Sequence, residues 1–105
     1  MSAPIPPEPE TISIDGKVFA GVENSASGQV GAATQFRYHQ DDDVIWAEYS
    51  GGAIVRGYLV GIRTGGKLDF RYSHLNTDRQ TANGVCETRI EVLEDGRVRF
   101  HEAWA

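Results

Sequence analysis

Lys67-Leu68-Asp69-Phe70-Arg71-Tyr72-Ser73-His74-Leu75 alternates strictly: Leu68, Phe70, Tyr72 and His74 fall on one side of an extended chain, Lys67, Asp69, Arg71 and Ser73 on the other. Successive side chains of a strand point to opposite faces, so this period of two predicts a strand with one buried and one solvated face. Two further stretches share the pattern. In 97–104, Val98, Phe100, Glu102 and Trp104 lie opposite Arg97, Arg99 and His101; in 34–40, Phe36 and Tyr38 oppose Arg37 and His39. Burial on one face only is the habit of antiparallel sheets.

Outward from these strands the chain is punctuated by turn residues. Asp15-Gly16 joins 11–14 to 17–22 and predicts a type I′ hairpin, whose two central residues both need positive φ. A loop at 24–28 precedes a strand over 32–40. Asp41-Asp42-Asp43, Ser50-Gly51-Gly52 and Thr64-Gly65-Gly66 separate strands at 44–49, 53–63 and 67–75. A longer polar loop is expected over 76–83, and 84–93 with 97–104 form a last hairpin around Glu94-Asp95-Gly96. Runs and turns at this spacing predict an all-β meander. The best helical stretch, 77–82, is too short and polar to hold, and no βαβ pattern occurs. The expected fold class is all-β: an antiparallel up-and-down meander of seven or eight strands, rolled into a small barrel or half-barrel because a flat sheet would expose its edges. Gly57 and Gly61, inside one strand, are expected to mark a bend, a bulge or a close approach.

All four prolines, Pro4, Pro6, Pro7 and Pro9, precede residue 10. They lack the backbone donor a sheet needs, so 1–10 reads as a disordered Pro-rich tail and 11–105 as a single barrel-like domain. The 105 residues carry 40% apolar and 24% charged side chains, ordinary for one globular domain with a modest core. The net charge is −5, and the eight Arg and two Lys are scattered among acids. Nucleic acid is therefore not expected as a partner, since its binding needs concentrated cationic surface. No apolar run approaches bilayer length and the N-terminus lacks a signal peptide's basic and apolar regions, so no membrane association is expected. The single Cys86 cannot form an internal disulfide, which suits a reducing compartment and a cytoplasmic location.

Catalytic patterns are missing. There is no Gly-x-Ser-x-Gly elbow and no Walker-type loop. Cys86 lies in mid-strand without an activating arrangement, although His74 or His101 could be its imidazole. His39 with the aspartate triplet lacks metal-ligand spacing, so no metal and no cofactor are expected. The informative signal is polar groups on apolar faces. Glu102 sits between Phe100 and Trp104, His74 continues the Leu68, Phe70, Tyr72 face, and Trp46 and Glu48 share a face beside Tyr38. A buried carboxylate must be paired, hydrogen-bonded or protonated. Arg56, Arg71 and Arg89 are the candidate counter-ions, provided strand twist turns one inward. The alternative is that Glu102 and His74 lie near the barrel mouth and reach water.

The strings Phe36-Arg37-Tyr38-His39-Gln40, 44–52, Gly57 with Leu59, Tyr72-x-His74-x-Asn76, Gly84-x-Cys86 and Glu102-x-Trp104 resemble a family of small uncharacterised bacterial all-β proteins, over most of 15–104. Some of its members carry the label N-acetylglutamate synthase, and members often continue past the final tryptophan. The resemblance implies a small β fold and brings no catalytic residues with it. An acetyltransferase would need a Gln/Arg-x-x-Gly-x-Gly/Ala turn opening a helix; the nearest string, Arg63-Thr64-Gly65-Gly66-Lys67, has other spacing and precedes a strand. In architecture the chain is also similar to small up-and-down barrels of the lipocalin and avidin type.

Together these readings favour a non-catalytic binder of a small apolar or aromatic ligand, held in the barrel or at its mouth. The expected ligand-binding residues are Tyr38, Trp46, Glu48, Tyr72, His74, Glu102 and Trp104, aromatics as walls and Glu and His as orienting groups. The alternative is an interaction or structural module that pairs through an edge strand or forms a homodimer. An enzyme ranks third, as no nucleophile–base set is visible.

Overall fold

The computed structural model describes residues 12–20 and 33–105. The expected Pro-rich tail and the 24–28 loop lie outside the described residues. Seven strands are present: β1 (Val18–Ala20), β2 (Gln35–Asp41), β3 (Val44–Gly51), β4 (Ile54–Thr64), β5 (Lys67–Asn76), β6 (Thr81–Val92) and β7 (Val98–Trp104). They form one antiparallel sheet in sequence order, the meander that the turn spacing predicts. The sheet rolls into a half-barrel far enough for Phe19 of β1 to stack on Phe100 of β7, with ring centroids 4.0 Å apart. Among the described residues no helix is long and apolar enough to cross a membrane.

The alternating faces sort as the sequence predicts on β2, β5 and β7. Phe36, Tyr38, Leu68, Phe70, Tyr72 and His74 are buried; Arg37, Lys67, Asp69, Arg71, Ser73, Arg97, Arg99 and His101 are exposed. Inward side chains of β3 and β4, chiefly Ile45, Tyr49, Ile54 and Leu59, complete the core with Cys86 and Ile90 of β6. Each large apolar group contributes about 1.5–3 kcal/mol by leaving water.

Two local expectations are corrected. Residues 12–14 form no hairpin arm. The Asp15-Gly16 turn is present, closed by the Lys17 amide on the Ile14 carbonyl at 3.1 Å, but of its two central residues only Gly16 has positive φ (78°). It is therefore not a type I′ turn. Ile14 is fully buried, and Arg63 holds the Ile12 carbonyl, so the segment plugs one end of the roll. The long polar loop over 76–83 is a tight turn. The Asn76 side chain accepts the amides of Asp78 and Gln80, both at 2.9 Å, and Arg79 takes φ 64°, so β6 already begins at Thr81. Gly57 serves close approach: a Cβ there would stand 2.3 Å from the Tyr49 ring, which lies across it.

Candidate functional site

Among the described residues β7 is an edge strand, and the site grows out of that edge. Val85 and Ala105 exchange both backbone hydrogen bonds, at 3.1 and 2.8 Å. Such bonded pairs recur at every second residue, so Ala103, His101 and Arg99 turn their backbone groups to β6. The amides and carbonyls of Val98, Phe100, Glu102 and Trp104 therefore face the open edge, and the side chains of the same residues point inward.

Rings rather than backbone bonds span the gap to β1 and β2. Phe100 stacks on Phe19 and meets Tyr38 edge-on at 5.2 Å. Trp104 lies 6.1 Å from Phe36 and packs edge-on against Tyr72 at 4.9 Å and Phe70 at 5.8 Å. A cleft of about 340 Å³ follows the seam, lined by Phe19, Phe36, Tyr38, Val98, Phe100 and Glu102, with Leu93, Arg97 and Arg99 along its course. A second groove, of about 440 Å³, runs along β6 and β7 and also reaches Phe100, Glu102 and Trp104.

Two polar groups look into this aromatic seam. Burial pushes the Glu102 carboxyl up to about 7, opposed by one contact, the Thr88 hydroxyl at 3.5 Å. Tyr38 is 1% exposed, and among the described residues its hydroxyl has no hydrogen-bond partner. Burial, then the Glu102 charge, hold that phenol well above the usual tyrosine range, so it stays protonated. The counter-ions expected from the sequence do not arrive: Arg56, Arg71 and Arg89 are exposed on the outer face. Arg97 pairs with Asp95 at 2.6 Å, and Arg99 lies 3.8 Å from Glu91. Cys86 lies below Glu102, its thiol pushed to about 12 by burial, and Thr88 opposes that shift. It is a protonated core group at neutral pH.

Of the seven residues expected at a ligand site, Tyr38, Glu102 and Trp104 border these clefts. Tyr72 and His74 lie inside but in a filled part of the roll. Tyr72 donates to the Ala105 carbonyl at 3.1 Å, His74 Nδ1 shares a hydrogen bond with the Tyr49 hydroxyl at 2.9 Å, and the two rings stack. Burial lowers the affinity of His74 for a proton. Trp46 and Glu48 are on the wrong face for the expectation. Trp46 is 38% exposed and stacks on His39, whose Nε2 donates to Glu48 at 2.7 Å on the outside of the sheet. Both alternating sets of β3 contain an aromatic, and the pairing of Tyr38 with Ala47 turns Ile45, Ala47 and Tyr49 inward. Phe19, Phe36, Val98 and Phe100 were not expected at the site. Alternation marked Phe36, Val98 and Phe100 as inward, but nothing local brings residue 19 beside residue 100. Among the described residues no cluster suited to a metal ion occurs.

A rolled antiparallel sheet, its seam closed by rings and holding two buried polar groups, defines a small half-barrel with a ligand-sized cleft. The chain belongs to the avidin-like protein family, whose model matches residues 12–105. No curated protein and no solved structure matches it.

Proposed function

We propose that the protein is a non-catalytic binder of a small apolar or aromatic ligand, taken up in the seam between β1 and β7. The observation that carries this reading is the Tyr38 hydroxyl, buried and without a partner among the described residues beside the aromatic cleft that Glu102 also lines. A buried hydroxyl left unpaired costs about 1–3 kcal/mol, a cost that a polar group of a ligand would remove. Aromatic walls with few placed polar groups are the usual make-up of small-molecule sites. Membership of the avidin-like family, a family associated with small-ligand binding, supports the reading. The single thiol keeps the cytoplasm as the proposed location.

The test uses the two tryptophans. In a Trp46→Phe background, Trp104 is the only fluorescent indole and reports on the seam. Aromatic probes are expected to quench or shift it saturably, and Phe100→Ala is expected to weaken binding at least tenfold. Retained affinity in a folded Phe100→Ala protein would remove the seam as the site. Trp46→Phe itself should leave affinity unchanged, as position 46 faces away.

A second reading, self-association, is favoured by one observation. The outer face carries an apolar band in which Val44 pairs with Ile62 and Trp46 with Val60, all at least 38% exposed. Light scattering after size exclusion is expected to show a dimer that Val60→Glu converts to monomer; a monomeric wild type rejects it. Acetyl transfer to glutamate is not proposed. Gly65-Gly66 leads into β5 rather than a helix, so incubation with acetyl-CoA and glutamate is expected to release no CoA thiol above background.

A further inference from the structure

Glu102 raises a question that the proposed binding site does not answer by itself: what its carboxylate is for. It lies on the inner face of β7 between Phe100 and Trp104, and among the described residues the Thr88 hydroxyl at 3.5 Å is its one hydrogen-bond partner. Among the described residues no salt bridge includes it. The groups around it on neighbouring elements are all neutral at pH 7: Tyr38 of β2, Tyr49 of β3, and Thr88 and Cys86 of β6. Arg63, the buried guanidinium, is engaged elsewhere, by the Gly65 carbonyl at 2.7 Å, Gln40 at 3.0 Å and the Ile12 carbonyl. Arg97 and Arg99, on the course of the cleft, have Asp95 and Glu91 as their acidic neighbours.

We propose that the seam selects a small organic cation, a protonated amine on an apolar or aromatic body, whose ammonium group sits between Glu102 and the Tyr38 hydroxyl. This rests on the seam being the ligand site and adds the charge of its occupant. Three features converge. A carboxylate without a cation in an apolar surround is completed by one, and the pair gains strength from the low dielectric there. The Tyr38 oxygen can accept an ammonium N–H, which gives that buried group its missing partner. The faces of Phe19, Phe36 and Phe100 carry the negative quadrupole that attracts cations, so the walls favour the same charge. The net charge of −5 adds a long-range pull in the same direction.

Only ionised Glu102 completes the pair, so binding should strengthen as pH rises through the carboxyl's titration. That range lies below the amine's own loss of a proton, about 10 by analogy with lysine.

The test compares three probes of one shape by isothermal titration calorimetry on the full chain: 2-phenylethylamine, neutral 2-phenylethanol and anionic 3-phenylpropanoate. At pH 8 the amine is expected to bind at least tenfold tighter than the alcohol, and the acid weakest. From pH 5.5 to 8 the amine's affinity should rise by about ten- to thirtyfold while the alcohol's stays flat. Below pH 7 its binding should release a proton, read as a buffer-dependent enthalpy. Glu102→Gln should remove the amine's preference over the alcohol and its pH dependence. Equal binding of alcohol and amine, or tightest binding of the acid, would overturn the cation proposal and leave the aromatic site standing. No binding of any probe would overturn both. The wild-type probe series and pH profile decide the matter even if Glu102→Gln does not fold.

Discussion

At the residue scale, two buried titratable groups set opposite limits on stability. Glu102 has its proton affinity raised by folding, so its contribution is fully present below the unfolded carboxyl value and is lost as pH rises through about 7. His74 is the reverse: its affinity for a proton is lowered by burial, so its contribution is present above the unfolded imidazole value, near 6.5, and is lost as pH falls below it. The two slopes therefore oppose each other between the unfolded carboxyl value, near 4.5, and about 7, and neither group changes melting temperature well above that range. Glu102→Gln should remove the carboxyl's loss between pH 4.5 and about 7, so that melting temperature rises more steeply with pH there than in wild type, with a gain on the order of 2 kcal/mol at pH 8. The same pH dependence in Glu102→Gln and wild type between pH 4.5 and 8 would show that Glu102 is already well solvated. The carboxylate's position between two aromatic residues was legible from alternation alone. Its lack of a counter-ion was not, because that depends on which way three arginines on other strands turn.

At the scale of elements, parity decides which side chain serves which face. β5 and β7 each place their large apolar groups on one side only, and there sequence and structure agree. β3 offers Ile45, Ala47, Tyr49 or Val44, Trp46, Glu48, both with an aromatic, and the pairing with β2 and β4 chooses the first. Glu48 argued for that choice, since a second inward carboxylate would have had no partner. Gly57 was a further clue: it stands opposite Tyr49 and leaves the room over which that ring reaches His74. Gly57→Val is expected to displace Tyr49, break its bond to His74 and cost about 2–3 kcal/mol in urea denaturation. A cost below about 0.5 kcal/mol would show that the ring has another place to go.

On the scale of the whole molecule, the meander was readable because each turn declares itself, but the closure was not. Turn residues fix which strands are neighbours, whereas the meeting of β1 with β7 joins positions about eighty residues apart and involves no backbone pairing. Among the described residues that leaves a seam of rings with an unpaired strand edge beside it, and the cleft runs along this seam. A fully hydrogen-bonded barrel of this size is either filled by its own side chains or holds one small ligand. The rest of the interior is so filled, by Tyr49, Tyr72, His74 and Trp104 in mutual contact.

Native mass spectrometry of the protein purified gently from its own source tests the seam as a ligand site most directly, with wild type and Phe100→Ala run side by side. The wild type is expected to carry a small mass that is lost on denaturation and absent from folded Phe100→Ala. A wild-type chain that stays bare, alone and with the amine and alcohol probes added, would contradict a binding role for the seam and turn attention to the apolar band on the outer face.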